Sequence, residues 1–122
     1  MSRGRDTDDR LNNILMSIGR IHTAEHLLST AQEVSDHQLE NTAFDAVLYN
    51  LVVIGEAVRA LPTDLTDGEP DTPWRDISDM RNFLSHEYFR VSADIVHRTI
   101  DEPLGLLLAS CRRLLDNHGE TP

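Results

Sequence analysis

Between residues 43 and 58, Ala43, Phe44, Ala46, Val47, Leu48, Leu51, Val52, Val53, Ile54, Ala57 and Val58 recur at helical spacing yet cover nearly the whole circumference. A helix apolar all round has to be buried on more than one side, so this segment belongs at the centre of whatever the chain folds into. Asp36 stands where an N-cap is needed, and the spacing predicts a helix from there to about residue 60. Gly55 within it costs about 1 kcal/mol relative to Ala, which points to another helix crossing closely there, although simple tolerance of the glycine would explain it as well.

The remaining segments read as helices arranged round that centre. Leu11, Ile14, Leu15, Ile18, Ile21 and Leu28 give an amphipathic helix from about residue 7 to 31, capped by Asp6 or Thr7. The turn formers gather in one place, Leu61 to Pro73, which reads as a single long loop. Thr72 then caps, and Pro73 opens, a third helix from Trp74 to about His86, with Trp74, Ile77, Met80 and Leu84 as its apolar stripe. After a break near Arg90, Ser92 caps a fourth helix through Ile95, Val96 and Ile100. Pro103 should kink or interrupt it before a final helix from Leu104 to about Leu115. With no strand signals, the expected fold is an all-α, four- to five-helix up-and-down bundle. It forms a single domain over residues 1–122, with its core at about 8–116. Four helices leave more apolar face than they can cover, so a homodimer is expected.

Composition narrows the function classes. Apolar residues make up 39% of the 122 and charged ones 26%, and no apolar run approaches the roughly 20 residues of a membrane span. One cysteine, Cys111, excludes a disulfide scaffold and suits the cytoplasm. Eleven basic residues, all Arg, face 21 acidic ones for a net charge of −10. A chain this acidic has no global attraction for a phosphate backbone, so any nucleic-acid chemistry must come from a local Arg cluster.

Several motifs compete. His22-Thr23-Ala24-Glu25-His26 matches the H-x-x-E-H pattern of inverted zinc proteases, with both imidazoles on one helical face. Such enzymes also need a third ligand and a cleft, and no metal is expected at these residues. Cys111 lies in an apolar helix without an adjacent base and reads as a buried small hydrophobe. Asp64, Asp67, Glu69 and Asp71 lack calcium-loop spacing and read as a solvated turn.

The segment Met80 to Phe89 is different. Arg81 stands four residues after Ile77 and three before Leu84, so it projects from the apolar arc, and Tyr88 returns to almost the same azimuth. A guanidinium there is costly unless paired. Asn82 and His86, four apart, share the adjacent face with Asp79. The set suits metal-independent RNA cleavage. His86 would act as general base on a ribose 2′-OH, Arg81 would stabilise phosphoryl charge, and Asn82 would orient either group. Spacing alone favours a plainer account, in which Arg81 pairs with a carboxylate and His86 merely ends a helix.

At these residues the sequence resembles the HepT family of HEPN-domain proteins, whose mark is Arg, four residues, His, any residue, Tyr: here Arg81-Asn82-Phe83-Leu84-Ser85-His86-Glu87-Tyr88. Phe44 to Leu51, Ile54 to Ala57 and Pro73 to Ile77 also look like family segments in the family's order, and the likeness runs over about residues 8–116. The resemblance implies a HEPN-like homodimer acting as a metal-independent endoribonuclease, the toxin of a toxin–antitoxin pair. Arg81 and His86 would be its catalytic pair and Asn82 their polar helper. It also implies a partner, a minimal nucleotidyltransferase antitoxin of the MntA type that transfers AMP to the motif tyrosine, Tyr88. No cofactor is implied. The competing expectation is a non-catalytic HEPN dimer that binds a nucleotidyltransferase or a nucleotide.

Overall fold

The computed structural model describes the backbone of residues 4–87 and 93–120, and the side chains of residues 5–80 and 101–117. Among the described residues it contains five helices and no strand. They are α1 (Gly4–Glu33), α2 (His37–Arg59), α3 (Thr63–Asp67), α4 (Trp74–Glu87) and α5 (Ala93–Glu120). The all-α architecture is the expected one.

α2 holds the central place its composition demands. It packs against α1 on one side and α4 on another, and α1 also packs against α5. Val47, Leu48, Leu51, Ile54 and Val58 of α2 are buried with Leu11, Ile14, Ile18 and Ile21 of α1, Ile77 of α4, and Leu104, Leu107, Cys111 and Leu114 of α5. Gly55 is buried in the same helix.

The α1–α2 connection is a tight hydrogen-bonded turn. Ser35 adopts a left-handed backbone (φ 57°), the Asp36 N–H donates to Ala31 O (2.9 Å) and the Ser35 N–H to Gln32 O (3.3 Å). This 6→1 and 5→2 pair is a Schellman ending, here built on serine rather than glycine. Asp36 closes α1 and opens α2 at once, since its carboxylate accepts the Leu39 N–H at 3.0 Å. The cap foreseen at Asp36 is therefore present. The first helix starts earlier than expected, at Gly4, so Asp6 lies in its first turn and Thr7 is buried within it; neither stands ahead of the helix as a cap.

Three further boundaries differ from the sequence reading. The long loop is broken by α3, a single turn after Pro62 whose Leu65 is buried with Leu61 against the core. Burial of those two side chains outweighs the turn-forming composition around them. Pro103 does not interrupt α5, which runs unbroken from Ala93 to Glu120. A proline inside a helix costs about 3 kcal/mol. The row Leu104, Leu107, Cys111 and Leu114, all buried, keeps the C-terminal half of that helix on the core and offsets the loss. Thr72 precedes α4, but its hydroxyl bonds α5 instead, contacting Leu106 O at 3.1 Å and Ser110 Oγ at 2.6 Å. The Pro73 carbonyl accepts the Ile77 N–H at 3.0 Å and starts α4. The cap foreseen at Ser92 lies outside the described residues.

Candidate active site

α4 is the element that carries the motif. Its orientation is fixed at the described end: Ile77 is buried in the core, whereas Arg75, Asp76 and Asp79 are exposed. Two rows then run along the helix at spacings of four, three and four residues. Ile77 heads the row that continues through positions 81 and 84. Arg75 and Asp79 head the row that continues through positions 82 and 86. The backbone thus places Arg81 on the core-side row and Asn82 and His86 on the solvent-side row. The side chains of all three lie outside the described residues, as do Tyr88 and Arg90 altogether. By helical geometry positions 81 and 86 are about 140° apart in azimuth and about 7.5 Å apart along the axis, with position 82 inside that arc. The Arg, Asn and His positions therefore span a sector of about 140° on α4, from the core-side row to the solvent-side row.

The start of α4 is tied to α5 through one residue that the sequence reading had placed in a solvated turn. Glu69 Oε1 accepts hydrogen bonds from Arg113 Nη2 (2.7 Å), Arg113 Nε (2.9 Å) and Ser110 Oγ (2.9 Å). Its main-chain carbonyl accepts the Trp74 indole N–H at 3.0 Å. The Glu69 side chain is only 12% exposed, and Ser110 and Thr72 are buried beside it. Hydrogen bonding from Arg113 holds the Glu69 carboxyl below the usual carboxylate range, with Ser110 and the guanidinium charge adding to the effect and burial opposing it. Its partner's guanidinium pKa is raised by the same contact. Nothing in the spacing of Glu69, Ser110 and Arg113 announces this network. The one local hint was an acidic residue among turn formers directly before the Trp74 helix.

The depressed carboxyl pKa sets a sign for pH dependence. Glu69 contributes stability that is complete above the ordinary carboxylate pKa and is lost as pH falls through its lower folded value. Urea unfolding of wild type and Glu69→Gln should therefore differ most near neutral pH and converge in acid. A gap that stays constant down to about pH 3 would show that the charge on Glu69 does not contribute to the stability of this network.

The other sequence candidates resolve as follows. Cys111 is fully buried, and burial, reinforced by the nearby Glu69 charge, pushes its thiol up to about 12, so it is held as the neutral thiol at pH 7. His22 Nδ1 and Glu25 Oε1 face each other at 3.9 Å, with the imidazole largely in solvent. Among the described residues no three His, Cys, Asp or Glu side chains converge as a metal would require. Asp64, Asp67 and Asp71 are exposed. Between α1 and α2 lies an open groove with Met16 and Leu27 along it and Asn50 among its lining. Asn50 Nδ2 donates to Ala46 O at 2.8 Å, while its buried Oδ1 accepts no hydrogen bond.

The chain is a helical bundle whose fourth helix carries positions 81, 82 and 86, and comparison with known proteins gives its family. The model of the ribonuclease HepT-like family matches residues 20–114, and the chain belongs to that family. The probable ribonuclease HepT of Thermococcus cleftensis is 35% identical over 69 residues, which is 57% of this chain and 63% of that protein. A protein of Caldanaerobacter subterraneus subsp. tengcongensis, named "Putative RNase", is 42% identical over 55 residues, 45% of this chain and 49% of its own. A longer alignment, 25% identical over 118 residues and 92% of this chain, covers 49% of a Methanocaldococcus jannaschii protein named "Gamma-glutamylcyclotransferase and putative RNase". The matched regions thus span about half to two thirds of these relatives. No solved structure matches the chain. Among the described residues no helix is long and apolar enough to cross a membrane.

Proposed function

We propose that this chain is a metal-independent endoribonuclease, the toxin of a toxin–antitoxin pair. The reading is supported by Arg81, Asn82 and His86 falling on α4 in a chain of the HepT-like ribonuclease family. Cleavage within RNA needs a base for the 2′-OH, a cation for the phosphoryl oxygens and an acid for the leaving oxygen. His86 takes the 2′-OH proton and the 2′ oxygen attacks the adjacent phosphorus. Arg81 holds the non-bridging oxygens as charge grows on them, and Asn82 orients the phosphate or the imidazole. The P–O5′ bond breaks and a 2′,3′-cyclic phosphate remains. In a homodimer whose fourth helices meet at the two-fold axis, His86 of the partner subunit gives the 5′ oxygen its proton.

Tyr88 is the control point. The cognate nucleotidyltransferase antitoxin transfers AMP from ATP to it: the phenolic oxygen attacks the α-phosphorus and diphosphate leaves. The added phosphate and adenine then occupy the ground where the RNA phosphate binds, next to Arg81, and block it by charge and bulk. The protein works in the cytoplasm, where both RNA and ATP are found. An acidic surface is a poor general magnet for RNA, so binding rests on the local arginines, of which Arg75 is exposed on the His86 row.

The test is cleavage of a cellular RNA pool by purified protein in EDTA, with Arg81→Ala and His86→Ala alongside. Cleavage by wild type that both variants lose is the expected result. If folded, AMP-free wild type is as inactive as the variants, the alternative of a non-catalytic dimer that binds the nucleotidyltransferase takes its place.

A further inference from the structure

We propose that Glu69 and Arg113 are positioning residues for the Arg81–His86 pair, setting the tilt of α4 against α5 from its N-terminal end. The proposal rests on the ribonuclease reading for its catalytic part. Glu69 faces two ways. Its carboxylate is bound by α5 through Arg113 and Ser110, and its carbonyl holds the indole of Trp74, the first residue of α4. Thr72, two residues ahead of that helix, adds a bond to α5, its one hydroxyl proton lying within reach of Leu106 O and Ser110 Oγ. Side chain and main chain of one short segment therefore reference the first turn of α4 to the stretch of α5 from Leu106 to Arg113.

Lever geometry turns that reference into a catalytic setting. Ile77 is the buried residue of α4 in the core, with Trp74 and Met80 packed partly buried on either side of it, and serves in the proposed lever as the pivot. At 1.5 Å of rise per residue, Trp74 lies about 4.5 Å before the pivot, Arg81 about 6 Å beyond it and His86 about 13.5 Å beyond it. A rigid tilt that moves Trp74 by about 0.5 Å then moves His86 by about 1.5 Å and Arg81 by about 0.7 Å. Misplacement of a reacting group by about 1 Å costs as much as a hundredfold in rate. The proton-transfer residue sits at the long end of the lever, and the phosphate-holding residue near the pivot. Loosening the latch should therefore depress kcat while largely sparing KM.

The experiment measures steady-state cleavage of a fluorophore-quencher RNA that wild type cuts, together with amide hydrogen exchange along α4. The variants are Glu69→Ala, Glu69→Gln and Arg113→Ala. Glu69→Ala should lower kcat by about ten- to a hundredfold with KM within about twofold. Glu69→Gln keeps an acceptor for Ser110 and Arg113 and should recover part of that loss. Exchange should quicken in Glu69→Ala from Trp74 through residues 81–87. If Glu69→Ala does not fold, Arg113→Ala, altered at a half-exposed side chain, carries the same expectation. A kcat that falls only with the folded fraction overturns the proposal, as does wild-type exchange through residues 81–87. Wild-type protein that cuts no RNA would sink the ribonuclease reading instead, and the exchange data alone would then decide whether the latch sets α4.

Discussion

If the proposed mechanism holds, His86→Ala should lower kcat for RNA cleavage by about 10²- to 10⁴-fold, the usual worth of a positioned general base, and should leave the unfolding midpoint near that of wild type. The stability half of this expectation follows from placement. Position 86 continues the helix row of Arg75 and Asp79, both of which are exposed. Arg81→Ala should cost about 10²- to 10³-fold, because a preorganised cation aimed at developing phosphoryl charge is lost. Arg81→Lys should recover little of it, since an ammonium cannot reproduce the two-pronged donation of a guanidinium. Single-turnover cleavage and thermal unfolding of the same preparations check both halves. Residual cleavage near the wild-type rate in His86→Ala would remove that residue from the chemistry.

The largest effect on the fold is expected at Leu107. It is fully buried where α5 meets the core, four residues beyond the proline in that helix. Leu107→Ala should destabilise by about 2–5 kcal/mol, combining lost transfer energy with the cavity left behind. That is a large share of the roughly 5–15 kcal/mol that holds a domain of this size. Leu27→Ala removes the same atoms from a position 42% exposed and should cost no more than about 0.5 kcal/mol. Urea midpoints of the two variants test the contrast. Similar losses at both positions would mean that the open face of α1 is covered in solution, as a dimer partner would cover it.

The two kinds of prediction draw on different amounts of information. The central position of α2 was legible because an all-round apolar helix has no other stable place: Val47, Leu48, Leu51, Ile54 and Val58 are in the buried cluster, and Phe44, Ala46, Val52 and Ala57 pack against it. The Asp36 cap was legible because an acidic side chain before an apolar periodic run has a specific orphan N–H to satisfy. Four helices, their order and the motif positions on α4 followed from the same periodicity. The Schellman turn was not legible, because Ser35 lacks the glycine that usually marks a left-handed ending.

Other features had no local signal at all. Pro103 argued for a break, and only the buried row beyond it shows why the helix continues. Thr72 looked like a cap because its neighbours in sequence belong to α4. Its hydroxyl is taken by residues 34 and 38 positions away. Glu69 read as one more acid in a turn, yet it meets Ser110 and Arg113 across 41 and 44 residues.

The sequence by itself determined the helical class, the buried centre and the row positions of Arg81, Asn82 and His86, because each depends on periodicity within a single helix. The tertiary structure decided which polar groups at the helix ends face one another, and hence how α4 is tied to α5. That choice belongs to packing: a hydroxyl or carboxylate can satisfy its hydrogen bonds locally or across the fold, and the buried contacts between distant helices determine which partners come within reach.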